Sequence, residues 1–154
     1  IYLADTTIKS NVAFGIPEKE IDEDKVWAAL SLTQLENFVK NLPNGLETVV
    51  GERGVLISGG QRQRIGNARA IYHEPKILIM DEATAALDNE TERAFMEGID
   101  QLREKKTILL IAHRLSTVKN CDVIFFLKDG QLIDHGKFDE LKETNIEFRK
   151  MAHL

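Results

Sequence analysis

The sequence predicts an α/β fold in which a helical section leads into a parallel-sheet core, and three observations carry that expectation. First, Lys76–Met80 (KILIM) and Thr107–Ala112 (TILLIA) are short continuous apolar runs, the pattern of strands buried on both faces of a sheet. Second, Asn89–Lys105 between them places Phe95, Ile99 and Leu102 on one helical face, so the order is strand, helix, strand. A crossover of this kind implies parallel pairing through a right-handed connection. Third, another apolar run, Asp122–Leu127 (DVIFFL), is followed by Asp129-Gly130, a dipeptide that favours a hairpin to Gln131–Asp134.

The elements follow in order. Residues 1–55 carry no strong strand signal, but Asp22–Leu32 puts Val26 and Leu30 at helical spacing behind acidic first-turn residues. Leu35, Phe38, Val39 and Leu42 form an i, i+3, i+4, i+7 stripe, which predicts a helix over Leu35–Leu42 closed by Pro43-Asn44-Gly45. A third helix is expected from Ser58 to about Tyr72, because Pro75 forbids its continuation. Within it Gly66-Asn67 replace better helix formers, and the glycine alone costs about 1 kcal/mol. Asn89 and Glu92 read as a capping pair for the next helix, and residues from Lys137 onward as closing helices. The expected organisation is a helical section over about 4–73, a sheet core over 74–136 and terminal helices over 137–154. The chain opens on Ile1 without an initiator methionine, so further sequence is expected upstream.

Composition excludes several classes of protein. The 154 residues are 43% hydrophobic and 29% charged, suited to one folded core. No apolar run approaches the roughly 18 residues that span a bilayer. The net charge of −5, with both signs interspersed, provides no basic stripe, so nucleic acid is not an expected partner. A single cysteine, Cys121, excludes an internal disulfide and reads as a small filler beside a strand. His73, His135 and His153 have no ligand-like spacing and read as surface residues.

Chemistry concentrates in three places. Ile57-Ser58-Gly59-Gly60-Gln61 stands where a loop becomes a helix. There glycines let backbone N–H groups approach an anion, and the helix N-terminus adds a favourable dipole. A plain N-cap serine with a flexible turn would explain Ser58 to Gly60 taken alone. Next, Asp81-Glu82 sets two carboxylates at the C-terminal end of an apolar strand, where open α/β sheets hold ligands. One carboxylate can anchor Mg²⁺ through water while the other positions an attacking water; alone, the pair could be no more than the acidic start of a helix. Finally, His113 follows the strand Thr107–Ala112 at the same kind of edge, where a lone histidine can equally be structural.

Together these segments resemble the ordered motifs of the ATP-binding cassette family, and the likeness covers essentially the whole chain. Ile57–Gln61 resembles the signature LSGGQ with isoleucine in place of leucine. Ile77–Glu82 resembles the Walker B strand with its catalytic glutamate, Ala85–Asp88 is similar to the D-loop, and Ala112–Arg114 to the switch-histidine segment. The resemblance implies a partial P-loop NTPase domain that binds ATP and Mg²⁺. Its second nucleotide-binding domain would pair head to tail, so that Ser58, Gly59, Gly60 and Gln61 serve the partner's ATP. Asp81 would hold the metal, Glu82 and His113 would act on the attacking water and the γ-phosphate, and Asp88 would belong to the D-loop. Thr48–Gly54 (TVVGERG) resembles the exporter loop that touches a transmembrane domain, with Glu52 and Arg53 as its charged contacts; taken alone, the stretch could be only a polar turn. The implied location is the cytoplasmic face of the inner (plasma) membrane. Arg64–Gly66, Ala86–Glu92 and Lys119–Ile124 further resemble bacterial flippases for lipid-linked oligosaccharides. No G-x-x-x-x-G-K-[ST] pattern occurs, because Gly136-Lys137 is followed by Phe138 and preceded by Gln131 where a glycine should stand. These residues alone are therefore expected to be inactive. A soluble ATPase of the same family and a non-catalytic binding module derived from it remain the alternatives.

Overall fold

The computed structural model describes residues 1–54 and 56–152. The chain forms two compact units, 1–111 and 112–154. No helix among the described residues is long and apolar enough to cross a membrane.

In the first unit three short or medium helices precede one longer helix. They are α1 (Ile8–Val12), α2 (Glu23–Leu32) and α3 (Glu36–Lys40), and the longer one is α4 (Gly59–Tyr72). Asp22 starts α2 by accepting a hydrogen bond from Lys25 N at 3.2 Å. Val26, Ala29 and Leu30 of α2 pack with Ile65, Ala68, Ile71 and Tyr72 of α4 in the buried core. Full burial of each large aliphatic side chain contributes about 1.5–3 kcal/mol. At the far end of α4, Glu74 turns left-handed (φ 49°) before Pro75, so the helix stops there. The predicted helix over 35–42 is present but shorter, since its last residues bend into the turn at Pro43.

The N-terminal residues are tied down by Asn11, which is fully buried. Its Oδ1 accepts from Ala4 N at 3.0 Å and Arg69 Nη2 at 3.1 Å, while Nδ2 donates to Ala4 O and Thr7 O, each at 3.0 Å. Arg69 also donates to Asn11 O at 2.8 Å and stacks on Phe14, with the guanidinium 4.7 Å from the ring centre. Thr7 and Val49 form an antiparallel bridge, supported by Ile8 N to Thr48 O at 2.9 Å and Val50 N to Thr6 O at 3.1 Å. Neither feature carries a periodic signal in the sequence.

Strands β1 (Ile77–Asp81) and β2 (Thr107–Ile111) pair in parallel, Ile77 opposite Thr107 through Asp81 opposite Ile111, as the crossover predicted. The intervening α5 (Asn89–Asp100) buries Phe95 and Ile99 completely. Asp88 rather than Asn89 caps it, because the extended backbone of Asp88 (φ −70°, ψ 163°) lets its carboxylate reach the N–H groups of Glu90 and Thr91. The Asn89 and Glu92 pairing expected from sequence is thereby corrected: Glu92 is instead buried, accepting from Thr84 Oγ1 at 3.5 Å. Burial on both faces of the sheet is also corrected. Leu78 and Met80 point into the core, whereas Ile77 and Ile79 are 62% and 63% exposed. A parallel sheet needs a layer on each side, and among the described residues the helices cover one side only.

The second unit contains α6 (Leu115–Val118), the hairpin β3 (Ile124–Lys128) and β4 (Gln131–Gly136), and the closing helices α7 (Phe138–Thr144) and α8 (Ile146–Ala152). Asp129 and Gly130 both take positive φ (49° and 75°), the geometry of a tight hairpin turn. Phe126 and Phe138 meet the buried Phe148 edge to face at 5.8 and 5.6 Å. Lys128 pairs with Glu147 at 2.7 Å.

Candidate functional site

In the first unit the structure brings the signature-like turn close to the carboxylate-bearing strand. Ser58 caps α4 through a reciprocal box, its Oγ accepting from Gln61 N at 3.2 Å while Gln61 Oε1 accepts from Ser58 N at 2.8 Å. The N–H groups of Gly59 and Gly60 find no acceptor among the described residues. Ser58 thus acts as the cap that its residue type alone would explain, with the backbone donors of Gly59 and Gly60 at the start of α4.

Asp81 ends β1, and both Asp81 and Glu82 are exposed at the carboxyl edge of the two strands. Glu82 adopts φ 49°, a left-handed backbone unfavourable to a residue with a Cβ. Its N–H donates to Ile111 O at 2.9 Å, and its carbonyl accepts from Ala85 N at 3.0 Å. Two α4 side chains that sequence reasoning missed complete this grip. Gln63 Nε2 donates to Glu82 O at 2.7 Å while its Oε1 accepts from Ala86 N at 3.2 Å, and Asn67 Nδ2 donates to Ala83 O at 3.1 Å. The signal that could have found them is a polar i, i+4 pair opposite the apolar stripe of α4. A Cβ on Gly60 would lie 3.0 Å from Ala86 O, so this glycine is also required by packing inside the chain.

Beside Asp81 a groove of about 380 Å³ is lined by Tyr2, Gly66, Asn67, Arg69, Ile79 and Met80, among others. Asp88 is engaged as the cap of α5; the Thr91 N–H and hydroxyl hold its carboxyl below the ordinary aspartate value. Burial pulls the Arg64 guanidinium below its ordinary value, with the charge of Asp88 opposing that shift. Arg64 reaches Gln34 O at 2.8 Å. Glu52 is exposed in a short 3-10 turn, Glu52–Gly54, and the side chain of Arg53 lies outside the described residues. His113 belongs to the second unit, where it is exposed ahead of α6. His73 and His135 are exposed, His135 stacking on Phe125 at 6.2 Å; His153 lies outside the described residues. Cys121 is half-buried.

A glycine-rich helix start seated on the loop that follows a strand ending in two carboxylates is thus what the fold and the site define. Comparison with known proteins identifies its family. The family model described as ABC transporter matches residues 3–85. The chain is 47% identical over 144 residues to a multidrug resistance ABC transporter ATP-binding and permease protein of Lactococcus lactis, covering 94% of this chain and 24% of that protein. It is 42% identical over 154 residues to an ATP-dependent lipid A-core flippase of Shewanella oneidensis, covering all of this chain and 26% of the flippase. A solved bacterial Atm1-family ABC exporter with ATP bound superposes with a TM-score of 0.86 at 36% identity, covering 99% of this chain and 26% of the exporter. The chain belongs to the ABC transporter family, and it spans about a quarter of the length of these relatives.

Proposed function

We propose that these residues form the signature-bearing part of an ATP-hydrolysing domain that powers export, held at the cytoplasmic face of the membrane by a transmembrane domain. The observation that carries this reading is the seating of the Ser58–Gln61 turn on the segment after β1, with Asp81 and Glu82 at the strand's carboxyl end. The relatives above include exporters named for drugs and for lipid A, so the ATP-driven step rather than the cargo is what they share. The phosphate loop would come from sequence outside residues 1–154, and alone these residues would hydrolyse ATP no faster than buffer.

In the intact protein Glu82 positions the attacking water and His113 contacts the γ-phosphate, both in cis. Ser58 and the backbone N–H groups of Gly59 and Gly60 hold the nucleotide of a second domain paired head to tail. Mg²⁺ fits the residues present. No group of three or more metal-ligating side chains occurs among the described residues, and Mg²⁺ at phosphates uses one or two carboxylates, here Asp81, with water and phosphate oxygens completing the shell. When bound it neutralises developing phosphate charge. Glu52 and the neighbouring Arg53 would face the membrane domain.

Two measurements on the intact transporter test this. Glu82→Gln should lower turnover at least about 100-fold while ATP still binds; turnover near the parent rate rejects the assignment. Mixed dimers test the trans geometry. Ser58→Arg on one subunit with Glu82→Gln on the other puts both lesions in one site and leaves the other active. Both substitutions on one subunit disable both sites, so equal rates in the two arrangements reject the trans role.

A further inference from the structure

Positions 60, 63 and 67 fall on one face of α4, and all three meet the backbone of residues 82–86. Gln63 has the central place: it bridges Glu82 O and Ala86 N with the two ends of one amide, and the need for a donor at one end and an acceptor at the other fixes its orientation. Glu82 keeps its left-handed backbone (φ 49°), a conformation that persists only where the surroundings over-determine it. Of the hydrogen bonds named above that hold this backbone, the one from Gln63 comes from the helix that begins with the signature turn.

We infer that Gln63 is a positioning residue, which fixes the backbone of Glu82 and of Ala86 against α4 and so aims the Glu82 carboxylate at its own subunit's nucleotide. Asn67 secures the intervening Ala83 carbonyl, and Gly60 lets helix and loop close to contact distance. One helix then serves two nucleotides, offering Ser58 to the partner's site while Gln63 sets the glutamate of its own. This inference rests on the proposed catalytic role of Glu82.

The test uses the intact transporter. Gln63→Met keeps the side-chain length and removes both hydrogen bonds; Gln63→Glu keeps the acceptor for Ala86 N and sets a carboxylate oxygen against the Glu82 carbonyl. Both variants should lower kcat about tenfold with KM for ATP within twofold of the parent. Both should also speed amide hydrogen exchange in the peptide spanning 82–88 without changing the melting temperature, a local signature that general loss of structure would not give. In mixed dimers Gln63→Met should behave opposite to Ser58→Arg: combined with Glu82→Gln on the same subunit it leaves one site at the parent rate, and on opposite subunits it leaves one site slowed about tenfold. Parent-like kcat and exchange in both Gln63 variants, alongside an inactive Glu82→Gln, overturn the inference. So does a mixed-dimer pattern matching that of Ser58→Arg. An active Glu82→Gln instead removes the catalytic reading beneath it.

Discussion

Gly66→Ala should stabilise the first unit, and the size of the gain follows from two opposing effects. Gly66 sits inside α4, where glycine is about 1 kcal/mol less favourable than alanine. The added methyl would meet Ile1 Cδ1 and Cγ2, each at 2.8 Å, and Cγ1 at 3.3 Å, so the Ile1 side chain must move. All three of these nearest atoms belong to a side chain already 64% exposed, and none of them is backbone. Full burial of an isoleucine contributes about 1.5–3 kcal/mol, so swinging the remaining third into water costs about 0.5–1 kcal/mol, part of which the new methyl restores. The net gain is about 0.5 kcal/mol. In an Ile1→Ala background the opposing contact disappears and the gain should approach about 1 kcal/mol. Urea unfolding followed by the single tryptophan, Trp27 on α2, reads the unit in which α4 packs. With a slope of about 2 kcal/mol per molar, the midpoint should rise by about 0.25 M in the parent and about 0.5 M in Ile1→Ala. A midpoint that falls in both backgrounds would refute the reasoning, because something other than Ile1 would then require the glycine.

Two further outcomes follow from the hydrogen bonding. Asn11→Leu strands the half-buried Ala4 N–H and removes the acceptor of Arg69 Nη2, so unfolding free energy should drop by on the order of 3 kcal/mol; a loss under about 1 kcal/mol in the same urea assay would show that Asn11 is not the anchor of the N-terminal segment. Asp88→Asn should be less stable than the parent at neutral pH, by less than Asn11→Leu. Because the folded carboxyl of Asp88 is held below its ordinary value, its contribution is full above the unfolded value of about 3.9 and is lost as pH falls through the folded one. The parent and Asp88→Asn midpoints should therefore stay a constant distance apart from pH 7 to 5 and converge below about pH 4; a gap unchanged down to pH 3 contradicts the assignment.

Local pattern made most elements legible. The strand at Lys76–Met80, found one residue further on at Ile77–Asp81, the amphipathic face of Phe95 and Ile99, the Asp129-Gly130 turn and the stop at Pro75 each depend on residues close in sequence. The parallel pairing was legible too, because a strand, helix, strand order leaves few alternatives. The order of Ser58–Gln61, Asp81-Glu82, Asp88 and His113 was enough to point to the family that the comparisons show. The grip on the loop after β1 was not legible. Gln63, Asn67 and Arg69 look like ordinary polar residues until the chain brings them to backbone groups 16–67 positions away.

By itself, then, the sequence determined where α2, α4, α5 and the four strands lie and which family the motifs point to, since periodicity and motif spacing are local properties of the chain. Tertiary structure alone decided that one face of β1 stays open to solvent and that α4 clasps the backbone of Glu82. These depend on distances between segments far apart in sequence, and no local pattern encodes such distances.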